Sequence, residues 1–135
     1  MGAYEGGTMK KTVRIDAAPG AVGPYSQAIH AGDYLFISGQ LGLDPATKKM
    51  VEGGIERQAE RALMNIAAIV EAAGGTMAAI VKTTVLLQSM DDFARLNEVY
   101  ARFFGEDPPA RATYQVAKLP LAGLVEIEAI AYLGR

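Results

Sequence analysis

The chain has 135 residues, half of them hydrophobic, a net charge of -2, one histidine and no cysteine. That length suits a single domain able to bury roughly two thirds of its unfolded surface. The totals exclude disulfide frameworks, thiolate nucleophiles and Cys-based metal sites, and leave little material for a His cluster or a Ser-His triad; Lys and Arg do not cluster as a nucleic-acid footprint would, and no apolar run is long enough to span a bilayer.

Residues 1–8 are glycine-rich and patternless and read as a disordered leader or an expression remnant, leaving 9–135 as one domain. They do not read as a secretory signal peptide, so the cytoplasm is the expected location. Lys11 to Ile15 is a short candidate strand, and Asp16 to Pro24 a loop punctuated by Pro19, Gly20, Gly23 and Pro24. Ala28 to Ala31 and Tyr34 to Ser38 flank a tight turn at Gly32-Asp33 and read as a hairpin. Gly39 is expected to close that strand, Gln40 to Leu43 to continue extended, and Asp44 to Thr47 to turn.

From Ile55 to Ala73, apolar residues recur at Ile55, Ala59, Ala62, Leu63, Ile66, Ile69, Val70 and Ala73, the spacing of a helix with one buried face. Gly74-Gly75 ends it. Ile80 to Gln88 alternates as a strand, with Val81, Thr83, Val85 and Leu87 on one face. Asp91 to Phe104 is a second helix with a stripe of Phe93, Leu96, Tyr100, Phe103 and Phe104, and Gly105 ends it.

Pro108-Pro109 stiffens the chain ahead of a short strand-like run, Ala110 to Ala117. Alternation puts Arg111, Thr113, Gln115 and Ala117 on one face. An arginine there fits two readings: a clamp whose planar fork matches a carboxylate, or a surface or salt-bridged side chain. Leu124 to Leu133 is the last strand, and Glu126, Glu128, Ile130 and Tyr132 share a face. On an edge strand both glutamates would sit in water; elsewhere one of them is partnered or lines a cleft. His30 reads as an ordinary strand residue. The element order points to an α+β domain with two helices on one face of a mixed sheet. Val81, Val85 and Leu87 then lack a covering layer, so self-association through sheets meeting face to face is expected.

Gly23-Pro24-Tyr25-Ser26-Gln27, Ser38-Gly39-Gln40, Ile69-Val70-Glu71-Ala72-Ala73-Gly74, Val81-Lys82-Thr83-Thr84-Val85, Asn97 through Phe104, Pro109-Ala110-Arg111 and Val125-Glu126-Ile127-Glu128-Ala129 resemble, in order and spacing, the Rid (YjgF) family of reactive-intermediate deaminases. The resemblance runs from about Met9 to Tyr132. It implies a chorismate-mutase-like fold and a homotrimer with a central barrel-like core and active sites between subunits. It implies hydrolysis of enamine and imine acids (2-aminoacrylate or 2-iminopropanoate, and 2-iminobutanoate) to 2-oxo acids and ammonia, with no metal or cofactor; the scattered Lys and Arg and the lack of a long apolar run are what argue against a nucleic-acid or membrane partner.

By the same resemblance Arg111 holds the substrate carboxylate, Gly39 offers its backbone N–H to that anion, and Ser38 and Asn97 line the pocket. Tyr25 stands at the cleft and Glu126 places or activates the water. Thr113 departs from the pattern, because many members carry a cysteine there; the backbone carbonyl that the reaction uses is kept. The connection from Gly105 to Pro108 is short, which is expected to reshape the cleft mouth. Two other functions compete: a non-catalytic trimer that binds a 2-oxo acid or amino acid, and the RNA cleavage ascribed to some relatives, for which this chain offers neither a basic patch nor a pair of histidines.

Overall fold

The structure, a computed structural model, describes residues 9–134, so the expected leader at 1–8 lies outside the described residues. Its elements are β1 (Lys10–Val13), β2 (Ala28–Ala31), β3 (Tyr34–Leu41), α1 (Gly54–Ala72), β4 (Ile80–Leu87), α2 (Phe93–Phe104), β5 (Ala110–Gln115) and β6 (Val125–Tyr132). They form one sheet in the order β1-β2-β3-β6-β4-β5. Every pairing is antiparallel except β4 with β5, which α2 joins as a crossover. The α+β mixed sheet with two helices is therefore as the residue pattern predicts.

Both helices lie on one face of the sheet. Leu35, Ile37, Val85, Leu87, Val125 and Ile127 meet Ile55, Leu63, Ile66, Ile69, Leu96 and Val99 in a single buried core. Two polar side chains sit inside the α1 stripe. Asn65 donates to the carbonyls of Leu41 (3.3 Å) and Leu43 (3.1 Å), and Gln58 Oε1 accepts the Leu124 N–H at 2.8 Å. They tie α1 to the ends of β3 and β6, where irregular backbone needs partners.

Three expectations need correction, and one open alternative is settled. The first strand begins at Lys10 and stops at Val13, short of Ile15. Gly39 does not close β3, which runs on to Leu41; the β3–β6 register jumps from Ile37↔Ala129 to Gln40↔Ile127, so one extra residue bulges there. β6 lies between β3 and β4, so its glutamates do not owe their exposure to an edge. Finally, Val85 and Leu87 are fully buried beneath the helices, and Val81 alone of that trio is exposed. The cause is a second bulge: β4 pairs with β6 as Ile80↔Ala131 and then Lys82↔Ile130, which takes Val81 out of the alternation.

An uncovered face does exist, but other residues form it. Tyr34, Phe36 and Tyr132 are 44%, 46% and 47% exposed, and they cluster with ring centroids 5.4 and 6.4 Å apart. Ile130, Lys82, Thr84 and Glu128 continue this face toward β4 and bound a hollow of about 370 Å³ with Phe36.

Candidate active site

The residues singled out from the sequence fall into two groups on opposite faces of the sheet. The first is built where the β3 bulge meets β6. Because the bulge sets Gly39 against the neighbouring strand, a Cβ at Gly39 would lie 2.7 Å from Glu126 Oε2. Only a glycine lets the backbone approach that carboxyl so closely. Tyr25, Ser38, Gly39, Glu126, Glu128 and Pro120 line one cleft of about 370 Å³.

The wall carrying Tyr25 is a loop without regular structure, so its order rests on side-chain bonds. Gln27, nearly fully buried, accepts the Ile15 N–H at 2.7 Å and shares its amide hydrogens among the carbonyls of Ile15, Ala18 and Pro19 at 2.8–3.2 Å. Ser38 Oγ donates to the Ser26 carbonyl at 2.6 Å, and the Ser38 N–H to the Gln27 carbonyl at 2.9 Å. The Ser38 hydroxyl hydrogen is thus committed to the loop, leaving its lone pairs for the cleft. Tyr25 stands about half exposed at the rim, its hydroxyl accepting a long bond from the Val22 N–H at 3.4 Å. Across the cleft, Pro120 begins a turn closed by the Gly123 N–H to the Pro120 carbonyl at 3.0 Å. Its two central residues, Leu121 and Ala122, both take positive φ (55° and 57°).

Glu126 is half-buried here, and burial raises its carboxyl above the ordinary value; the charge of Glu128 two residues on raises it further. Such a carboxyl sits nearer the balance between its two protonation states at neutral pH than a solvated one. It can therefore both take and return a proton.

The second group sits under α2. Arg111 pairs in register with Thr83, and Thr83 with Ala129; Glu126 pairs with Leu86, and Leu86 with Tyr114. Register partners point to the same face, so Arg111 lies with buried Thr83 on the helix side, and Glu126 on the open side. They are two strands apart and three residues offset, on the order of 10 Å in each direction. The guanidinium carbon of Arg111 lies 4.7 Å from the Tyr100 ring centre and 5.5 Å from that of Phe93. Thr83 Oγ1 and Tyr100 Oη hydrogen-bond at 2.6 Å, which fixes the ring that fixes the arginine. Burial raises the Tyr100 hydroxyl's pKa, opposed by the Thr83 bond and the Arg111 charge.

Arg111 is not the salt-bridged arginine of the alternative reading. Among the described residues Arg57 pairs with Glu60 and Arg95 with Asp92, whereas no acidic side chain pairs with Arg111 and no acceptor takes a hydrogen bond from its guanidinium. Asn97 lies between Phe93 and Tyr100 on the α2 face that meets β5, and Thr113 follows Arg111 on its own face. Gln115, next on that face, accepts the Met90 N–H at 2.8 Å and anchors the chain ahead of α2.

The structure thus joins Tyr25, Ser38, Gly39 and Glu126 in one place, and Arg111, Asn97 and Thr113 in another. It does not bring the two sets together within one chain. Sequence reasoning gave no site role to Gln27, Thr83, Phe93 or Tyr100. Gln27 was visible inside the quoted motif; the stacking of Tyr100 on Arg111 left no signal apart from a core stripe.

Comparison with known proteins agrees with this architecture. A family model described as Endoribonuclease L-PSP matches residues 15–133. A RutC family protein of Pyrococcus horikoshii is 52% identical over 92% of this chain and 98% of its own length. The 2-iminobutanoate/2-iminopropanoate deaminase of Bos taurus is 49% identical over 93% of this chain and 92% of its own. The crystal structure of RidA from the Antarctic bacterium Psychrobacter superposes with a TM-score of 0.88 at 52% identity, covering 90% of this chain and 98% of that one. The bulge that sets Gly39 on Glu126, the stacked Arg111 and the matched span agree: the chain belongs to the YjgF/RidA family, the one whose model is described as Endoribonuclease L-PSP.

Proposed function

We propose that this chain is a hydrolytic deaminase that converts small 2-imino acids to 2-oxo acids and ammonia, working in the cytoplasm as a homotrimer whose sites lie between subunits. The observation that carries the reading is the pair of half-sites. One holds an unpaired, ring-stacked guanidinium and the other a half-buried carboxyl, and they lie on opposite faces of one sheet. Neither alone binds and transforms an acid. The uncovered sheet face with its Tyr34, Phe36 and Tyr132 cluster supplies apolar surface for the association that would join them.

In this reading Arg111 grips the planar carboxylate with two parallel bonds, and the Gly39 N–H of the neighbouring chain faces the same anion. Ser38 and Tyr25 close the cleft around the substrate, with Asn97 and Thr113 beside the arginine. Glu126 takes a proton from water as its oxygen adds to the C=N carbon. Glu126 passes that proton to the nitrogen, giving a carbinolamine. It then takes the carbinolamine's hydroxyl proton and delivers it to the nitrogen as the C–N bond breaks, so ammonia leaves as C=O forms. The sum is imine plus water giving ketone plus ammonia, with nothing oxidised or reduced. An enamine such as 2-aminoacrylate enters after tautomerising to its imine. The endoribonuclease wording of the family model has no counterpart in these half-sites, since the one histidine, His30, lies on β2 opposite Lys11 and Leu35.

The test generates 2-iminobutanoate from threonine with a dehydratase and follows it by semicarbazide trapping. Wild type removes the imine and Arg111→Ala does not. If both are inert on small and bulky imines, the deaminase reading fails and the cleft is a binding site without turnover. If both are equally active, the role of Arg111 fails.

A further inference from the structure

Residues 14–27, between β1 and β2, supply one wall of the Glu126 cleft without forming regular structure. Such a segment has no ladder to hold it, so its shape rests on what its side chains bind. Residues 20–25 are all exposed, and their bonds are local: the Tyr25 N–H to the Gly23 carbonyl at 2.8 Å and the Val22 N–H to Tyr25 Oη at 3.4 Å. Hollows lie on both sides of this stretch, the cleft on one and a second of about 610 Å³ on the other, and Gly20 and Tyr25 border both. Packing alone therefore does not keep Tyr25 at the rim.

The stretch is pinned at its two ends, and Gln27 makes most of the bonds. Its buried amide holds the near end, accepting the Ile15 N–H and donating to the carbonyls of Ile15, Ala18 and Pro19. Its own carbonyl holds the far end by accepting the Ser38 N–H, beside the Ser26 carbonyl that takes the Ser38 hydroxyl. Ser38 immediately precedes Gly39, whose backbone lies against Glu126. Only one orientation of the amide serves all four partners, oxygen to the N–H and nitrogen to the carbonyls. Both amide hydrogens are committed to three carbonyls, so Gln27 borders the cleft yet has no donor left for a ligand.

We propose that Gln27 is the positioning residue of this half-site: it sets Tyr25 and the Ser38–Gly39 bulge around Glu126 and touches no substrate itself. Its purpose rests on the deaminase reading. A group displaced by about 1 Å from the reacting centre costs on the order of 10²-fold in rate. The main grip on the substrate carboxylate belongs to Arg111 in the other half-site, so the loss falls on kcat more than on KM.

The test uses two variants of the full chain. Gln27→Glu keeps the length and the acceptor for the Ile15 N–H but removes the amide donors, and Gln27→Met keeps the length and removes both. Hydrogen exchange should quicken roughly 10-fold at the Ser38 amide in both variants and at the Ile15 amide in Gln27→Met alone, with the Ile66 amide in α1 unchanged. For 2-iminobutanoate, kcat per folded protein should fall about 10- to 100-fold, with KM within about threefold of wild type. Tyr25→Ala should cost far less in either Gln27 background than in wild type, because the tyrosine is already out of place. A side chain that only stabilises the fold would lower Tm while leaving kcat per folded protein intact and the Tyr25 effect additive; that result, in whichever variant folds, overturns the proposal, as does unchanged exchange at Ser38. A wild type inert on every imine would sink the deaminase reading instead, and the exchange pattern would still decide this one.

Discussion

Gly39→Ala tests the geometry of the carboxyl half-site without touching a functional side chain. The new methyl carbon would lie 2.7 Å from Glu126 Oε2, 2.9 Å from Cδ and 3.0 Å from Cγ. Carbon contacts settle near ~3.5 Å, so the carboxyl must move by about 1 Å. A displacement of that size at the reacting group costs on the order of 10²-fold in kcat. Stability should hardly register it. Turning a half-buried side chain off its rotamer costs ~0.5–1.5 kcal/mol, and release of its carboxylate toward water offsets part of that. For 135 residues, about 1 kcal/mol corresponds to roughly 3–4 °C in Tm.

Gly42→Ala is the control, with the same 2.7 Å approach but against the backbone of Gln58 in α1, which cannot rotate away. It should cost about 1–3 kcal/mol, or ~4–10 °C, and leave kcat per folded protein near wild type. Imine trapping and thermal melts at fixed protein concentration read both variants. Full kcat in Gly39→Ala would refute the placement of Glu126, as would a loss of Tm equal to that of Gly42→Ala.

Three further outcomes follow from the same coordinates. Tyr100→Phe strands the fully buried Thr83 hydroxyl and should cost about 1–3 kcal/mol in chemical denaturation, while Thr83→Val/Tyr100→Phe should lie closer to wild type than that single variant; a double variant that is the plain sum of the singles contradicts the pairing. Ala122 holds a φ of 57°, which costs a non-glycine residue ~1–2 kcal/mol, so Ala122→Gly should gain about 0.5–1 kcal/mol in Tm measurements after the extra unfolded-state entropy of glycine. Burial raises the Glu126 carboxyl, so the folded chain holds that proton more tightly than the unfolded one, and the contribution is whole below the ordinary carboxylate value and lost as pH rises through the folded one. Glu126→Gln should therefore be more stable than wild type at pH 7, with the gain vanishing toward pH 4 in denaturant titrations, and the acid limb of wild-type kcat/KM should lie above the ordinary carboxylate range.

The helices were legible because their apolar spacing covers many residues: Ile55 to Ala73 and Asp91 to Phe104 differ from α1 and α2 by a residue or two at their starts and ends. The bulges were not. One extra residue at Val81 turned that side chain away from Thr83, Val85 and Leu87, with which strict alternation had grouped it, and another near Gly39 extended a strand that a glycine was expected to end. Bulges arise from pairing with a distant strand, which local periodicity does not contain. Glu126 and Glu128 were placed on the correct face, but whether β6 was an edge depended on strand order, again a long-range property.

The same limit applies to the site. Arg111, Thr113 and Gln115 sharing one side followed from alternation alone. That this side faces α2, and that Tyr100 and Thr83 hold the arginine there, followed only from the crossover that lays β5 beside β4. Gln58 and Asn65 lie within the buried stripe of α1, and each was a readable sign of a helix bonding to irregular backbone.

The central claim is that the Arg111 of one chain works with the Glu126 of another. Arg111→Ala and Glu126→Gln, each inactive alone, should be mixed, unfolded and refolded together, and tested for removal of 2-iminobutanoate. In a ring with one Arg111 half-site facing one Glu126 half-site at each interface, random assembly of an equal mixture rebuilds about one site in four. Recovery to roughly a quarter of wild-type activity, absent when either variant is refolded alone, is the predicted result. A mixture as inert as its components, in assemblies shown to contain both chains, would contradict the account.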